Sequence, residues 1–76
     1  MSKSIKMSTS EDLIRAIRQA RKSKKISQSE LGGFANLTVA TISRIENHES
    51  DPQISTVFRL IKLLNLEIYI KDSTNE

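Results

Sequence analysis

Few residues in this 76-residue chain can do covalent chemistry. There is no cysteine, which removes thiol nucleophiles, a disulfide frame and any Cys-based zinc site. His48 is the only histidine, and no second His or Cys completes a metal site with it. It reads as a loop residue. The neighbouring acids Glu11-Asp12, and Glu49 near Asp51, have no nucleophile or base beside them. Gly32-Gly33 is a lone pair inside a predicted helix and not a phosphate-cradling loop. These absences predict a chain that is not an enzyme and that needs no metal and no cofactor.

What remains is recognition chemistry, concentrated in Gln28 to Asn47, QSELGGFANLTVATISRIEN. Gln28, Ser43 and Asn47 offer amide and hydroxyl hydrogen bonds. Thr38, Val39, Ala40 and Arg44 offer a small surface with one long cation. Two short helices must position them. Ser27 is an N-cap with Glu30 three residues on, a capping box. The first helix spans about Gln28 to Ala35, with Leu31, Phe34 and Ala35 on one side. Asn36 ends it, because Asn tolerates the left-handed conformation. Thr38 caps the second helix, which runs to about Asn47. There Ile42 and Ile45 point inward, with Val39 at the edge. Ala40, Arg44 and Asn47 point roughly the other way at 100° per residue.

A short helix with a small outer face suits a DNA major groove, roughly 12 Å wide. The geometry assigns Thr38, Val39, Ala40 and Arg44 to base edges. Val and Ala make apolar contacts, best with thymine methyls, and Arg prefers guanine O6 and N7. Ser43 and Asn47 flank that face and suit phosphates. Thr41 joins the phosphate set, although it lies toward the core-side flank. Gln28 either bonds a phosphate or braces the second helix. The alternative is that all of these are helix-surface residues and nothing more.

The same residues carry a resemblance. Gln28, Leu31, the turn at Asn36, Ile42-Ser43 and Glu46-Asn47 match the pattern Q-x-x-L-A-x-x-x-G followed by I-S-x-x-E-x-G. The chain thus resembles the Cro/repressor-type (Xre) helix-turn-helix family over about residues 11 to 66. Three positions depart from the pattern. Gly32 replaces the usual Ala, Asn36 the turn Gly, and His48 the Gly after the second helix. Asn and His are both enriched at positive φ, so the backbone path is expected to survive. The resemblance implies an all-α, four- to five-helix repressor-like domain that binds DNA.

Around this unit the chain divides into a flexible tail (residues 1–9), the domain (10–71) and a polar tail (72–76). Lys3 and Lys6 of the first tail could reach a phosphate or a minor groove. A first helix is expected from about Glu11 to Ser23, capped by Ser10, with Leu13, Ile17 and Ala20 inward and Ile14 at the edge. Arg15, Arg18 and Lys22 face out. Arg21 lies beside Ile17, and Glu46 beside Ile42, each at the margin of an apolar face. Charges so placed are rarely left unpaired, which predicts an Arg21–Glu46 ion pair. Two snorkelling surface charges are the alternative. Proteins that resemble this one make an equivalent pair. A polar loop through Pro52 leads to a last helix from about Ile54 to Leu64. Its apolar stripe is Ile54, Val57, Leu60, Ile61 and Leu64, with Phe58 beside it.

After that helix, Leu66 to Lys71 alternates strictly, with Leu66, Ile68 and Ile70 on one face and Tyr69 on the other. It predicts a short strand with no partner inside the chain. An unpaired apolar edge is a liability, and the same strand of a second copy relieves it. Leu66, Ile68, Tyr69 and Ile70 are therefore the expected homodimer interface. This strand, the TISRIEN run and the last-helix pattern make the chain most similar to HipB-like antitoxins. That likeness implies a transcriptional repressor that binds a palindromic operator as a dimer and neutralises a HipA-like kinase toxin. A phage- or restriction-type repressor without a toxin, or a protein-binding module on the same fold, are the alternatives.

Charge agrees with a polyanion partner. The net charge is +3, but residues 1–25 carry eight Lys/Arg against Glu11 and Asp12, a balance of +6. Residues 26–76 carry four Lys/Arg against seven Asp/Glu, a balance of −3. No apolar run nears the roughly 20 residues of a membrane span, and no signal-peptide pattern opens the chain. The expected location is cytoplasmic. A domain this small buries only about 60% of its unfolded surface, so dimerisation would stabilise it.

Overall fold

A computed structural model describes residues 5–72 and 74. The contact expected of Lys3, and most of the C-terminal polar tail, fall outside the described residues. Four helices follow in order: α1 (Ser10–Ser23), α2 (Gln28–Ala35), α3 (Val39–Glu46) and α4 (Ile54–Leu63).

Side-chain oxygens start the first three helices. Thr9, and not Ser10 as expected, caps α1. Its Oγ1 accepts from the Asp12 amide at 3.1 Å, and Asp12 Oδ2 accepts from the Thr9 and Ser8 amides at 3.3 and 3.0 Å. The acid three residues after Thr9 completes a capping box, a pairing that Ser10 with Leu13 cannot make. In α2 the Ser27–Glu30 box forms as expected. Thr38 caps α3 through the Thr41 amide at 3.1 Å.

Each helix stops the same way. Lys25, Asn36, His48 and Asn65 follow α1 to α4 with φ between 58° and 61°. The next residue then donates back to a carbonyl five positions earlier. Ile26 bonds Arg21, Leu37 bonds Gly32, Glu49 bonds Arg44 and Leu66 bonds Ile61, at 2.7 to 3.0 Å. This closes the orphan carbonyls of each last turn. The α2–α3 turn is the tightest. Leu37 N lies 2.7 Å from Gly32 O, and a Cβ on Gly32 would stand 2.7 Å from Leu37 O. The turn backbone therefore lies directly on Gly32, which admits no side chain there.

The core gathers Ile14 and Ile17 of α1, Leu31 and Ala35 of α2, Ile42 and Ile45 of α3, and Val57, Leu60, Ile61 and Leu64 of the α4 region. α2 packs on α3 and α4, and α1 packs on α3. Burying each such Leu or Ile contributes about 1.5–3 kcal/mol.

Four expectations about orientation are corrected. On α1, Ile14 is buried and Leu13 only half-buried. Arg21 belongs to the inner face, so the stripe is Ile14, Ile17 and Arg21, and Leu13 and Ala20 form its flank. On α2, Phe34 is 62% exposed, because Gly32 is buried under the turn and rotates the inner face away from Phe34. On α4, Ile54 is exposed, at the rim of a surface depression that it shares with Ser10, Glu11 and Leu13 of α1. Lastly, residues 66–72 form no strand among the described residues. A single copy offers this segment no ladder, so only Leu66 leans on the core while Ile68, Tyr69 and Ile70 are exposed.

Candidate nucleic-acid interface

The outer face of α3 is open. Thr38, Val39, Ala40, Arg44 and Asn47 are exposed, and Thr41 and Ser43 are half-buried. Thr38 and Thr41 share a hydroxyl hydrogen bond at 2.9 Å. Asn47 Nδ2 donates to Ser43 Oγ at 3.5 Å. Arg44 makes no hydrogen bond or ion pair among the described residues, so its donors are uncommitted. A small face with one free guanidinium can approach a surface closely and hydrogen-bond it at one point.

What holds this face still lies behind it. Glu46, the last residue of α3, is 4% exposed and Arg21 of α1 is 7% exposed. Arg21 Nε donates to Glu46 Oε2 at 2.6 Å and Nη2 to Oε1 at 2.9 Å, a two-pronged pair. Arg21 Nη1 also donates to the Ile26 carbonyl at 2.8 Å. Gln28 Nε2 donates to Glu46 Oε1 at 2.9 Å. Among the described residues no buried side-chain nitrogen or oxygen lacks a partner. Burial pushes the Glu46 carboxyl up. The Arg21 and Gln28 hydrogen bonds, with the charges of Arg21 and Arg18, outweigh it and hold the group below its ordinary value. The carboxylate is therefore charged at neutral pH, and one network ties α1, α2 and α3 together.

Gln28 thus braces α3. Two cations were not assigned from the sequence. Arg59 Nη1 donates to the Ala35 carbonyl at 3.0 Å and ties α4 to the end of α2. Its wheel position opposite the α4 stripe carried no signal of this. Arg18 Nε stands 3.9 Å from Glu46 Oε1. Lys22, Lys24 and Lys25 are exposed at the same end of α1. On the far side of the molecule, residues 66–69 and 5–8 line one groove with Leu13, Ala16 and Ala20 of α1 and Ile61 of α4. No cluster of three potential metal ligands occurs among the described residues. No described helix is long and apolar enough to cross a membrane.

Two short helices joined by a tight turn, the second exposed and pinned by a buried ion pair, define a helix-turn-helix protein. The sequence profile of the Helix-turn-helix family matches residues 17–70, and the chain belongs to that family. Among solved structures it is similar to a chain from a HipA-HipB-O2-O3 complex, at 27% identity and a TM-score of 0.82. That match covers 93% of this chain and 100% of the other. A chain from a HipB(S29A)-O2 20mer complex is similar at 25% identity and a TM-score of 0.83, over 95% of this chain and 100% of that one. One from a HipB-O4 20mer complex matches at 27% identity and 0.82, over 93% and 100%. No curated protein sequence matches the chain.

Proposed function

We propose that this chain is a sequence-specific DNA-binding transcriptional repressor of the HipB type. In this reading it binds a palindromic operator as a homodimer and serves as the antitoxin to a HipA-like kinase toxin in the cytoplasm. The observation that carries the reading is the exposed α3 face (Thr38, Val39, Ala40 and Arg44), held rigid from behind by Glu46, Arg21 and Gln28. A reading helix must present fixed side chains to base edges, and this network fixes them. Likeness over almost the whole chain to proteins solved in HipB–DNA and HipA–HipB complexes supports both partners.

Roles follow from position. Arg44 reads a guanine, and Val39 and Ala40 meet thymine methyls, with Thr38 beside them. Ser43, Asn47 and Thr41 contact phosphates. Gln28 contacts a phosphate by donating the second Nε2 proton, which its bond to Glu46 leaves free. Leu66, Ile68, Tyr69 and Ile70 gain their ladder from a second copy. The basic α1 end faces the polyanion, and the acidic C-terminal half is left for the toxin.

The test is binding of the purified protein to a duplex selected from random sequence, against a scrambled duplex, at physiological salt. The reading expects a marked preference and a palindrome with half-sites about one helical turn apart. Equal affinity for both duplexes would overturn it. Purification from the native host then asks whether a kinase-like protein accompanies it. Its absence would leave a repressor without a toxin.

A further inference from the structure

Glu46 draws two guanidinium groups to one carboxylate, and only one of them is hydrogen-bonded to it. Arg21 neutralises Glu46 through two hydrogen bonds. Arg18 adds a second positive charge, so the cluster carries an excess of one cation. Its Nε lies 3.9 Å from Glu46 Oε1, beyond hydrogen-bond reach. It is therefore held by charge alone, and it makes no hydrogen bond among the described residues. The Arg18 side chain is 49% exposed, against 2% for Glu46. The excess charge thus emerges at the surface through Arg18, with its donors free.

Its position is defined by a shared atom. Glu46 Oε1 also accepts from Gln28 Nε2 at 2.9 Å. Arg18 and Gln28 therefore stand side by side at the outer mouth of the network, next to the last turn of α3. Lys22 follows Arg18 by one helical turn on the same outer face of α1.

We propose that Arg18 binds a phosphodiester of the DNA backbone beside the position given to Gln28. The assignment rests on the DNA-binding reading above. A guanidinium matches two phosphate oxygens with two parallel N–H donors. Such a contact sets register on the duplex and carries no base information. Glu46 holds Arg18 at the mouth without consuming its donors, so little side-chain freedom is lost on binding.

The experiment measures binding of the full chain, Arg18→Gln, Arg18→Lys and Arg15→Gln. Each meets a duplex of the promoter ahead of its own gene and a random-sequence duplex, between 50 and 200 mM salt. Arg18→Gln should weaken both duplexes by the same factor. It should lower the slope of log affinity against log salt by about 0.9, the value for one lost phosphate contact. Arg18→Lys should restore the slope. Arg15→Gln should keep the wild-type slope, because Arg15 is already engaged by Asp12 at 3.0 Å. Without DNA, Arg18→Gln should stay folded, with only the small fall in thermal midpoint that a part-exposed ion pair contributes. A wild-type slope and affinity in Arg18→Gln would overturn the assignment while leaving DNA binding in place. A loss confined to the promoter duplex, or one accounted for by unfolded protein at the assay temperature, would also overturn it. A wild-type protein that binds neither duplex would remove the DNA reading itself.

Discussion

Gln28 opens α2 and Glu46 closes α3, and the two are joined by one hydrogen bond of 2.9 Å. The two helices are adjacent in sequence through the Asn36 turn, so this bond ties their far ends. With the turn at one end and Gln28–Glu46 at the other, α3 has little freedom to tilt on α2. The Arg21 pair then fixes both to α1. Orientation of the exposed face is thereby set before any partner arrives.

The ion pair should dominate the response to mutation. Arg21→Ala or Glu46→Ala leaves a buried charge unpaired, which costs about 3–5 kcal/mol, whereas an exposed pair contributes at most about 1 kcal/mol. A double-mutant cycle on denaturant stability should show strong coupling. Coupling indistinguishable from zero would mean that the pair is not buried in solution.

Acid should act through the same carboxyl. The Glu46 pKa is lowered from its ordinary value of 4.5. Its stabilising contribution is therefore complete above 4.5 and is lost as pH falls through the lower, folded value. Thermal midpoints measured from neutral pH down past 4.5 should decline, and Glu46→Gln should flatten that decline. An unchanged acid limb in Glu46→Gln would assign it to other groups, Asp12 among them, whose pKa the Ser8 amide also lowers.

The two glycines should behave oppositely. At Gly33 a Cβ meets nothing within 4 Å, and Ala is a better helix former by about 0.8–1 kcal/mol. Gly33→Ala should therefore stabilise the fold. At Gly32 the same methyl would stand 2.7 Å from the Leu37 carbonyl oxygen, and overpacking of that kind costs about 1–3 kcal/mol. Paired denaturation curves decide; a stabilising Gly32→Ala would mean that the α2–α3 turn yields easily.

On DNA, Arg44→Ala should cost roughly 1–3 kcal/mol on the preferred site and relax preference at one base pair. Gln28→Ala should weaken all duplexes alike and also lower thermal stability, because its amide holds Glu46. A selection of duplexes repeated with each variant separates the two. An unchanged preferred sequence in Arg44→Ala would remove Arg44 from base reading.

Truncation after Asn65 should abolish the dimer. The exposed Ile68, Tyr69 and Ile70, the last 96% exposed, have no cover within one copy. An isolated two-stranded sheet is marginal, so the paired segments should rest on α4 and the groove beside α1. Sedimentation of the truncated protein should show a monomer, with weak stability from loss of Leu66. A persistent dimer would move the interface to another surface.

Much of this protein was determined by sequence alone, where the cause is local. The Ser27–Glu30 box, the Thr38 cap and the left-handed positions Asn36 and His48 follow from short-range bonding. So do the small outer face of α3, from its wheel, and membership of a helix-turn-helix family, from Gln28 through Asn47. Tertiary structure decided what depends on a neighbour's position. Ile14 replaced Leu13 in the core because a charged residue, Arg21, occupies the inner face. Phe34 turned outward because the backbone of the next turn covers Gly32. Arg59 found the Ala35 carbonyl, and Arg18 was left with an unshared charge, through contacts 24 and 28 residues apart that no periodicity encodes. The alternation of Leu66 to Ile70 stated a preference for strand but did not make one, since a ladder needs a second set of backbone groups that this copy does not contain.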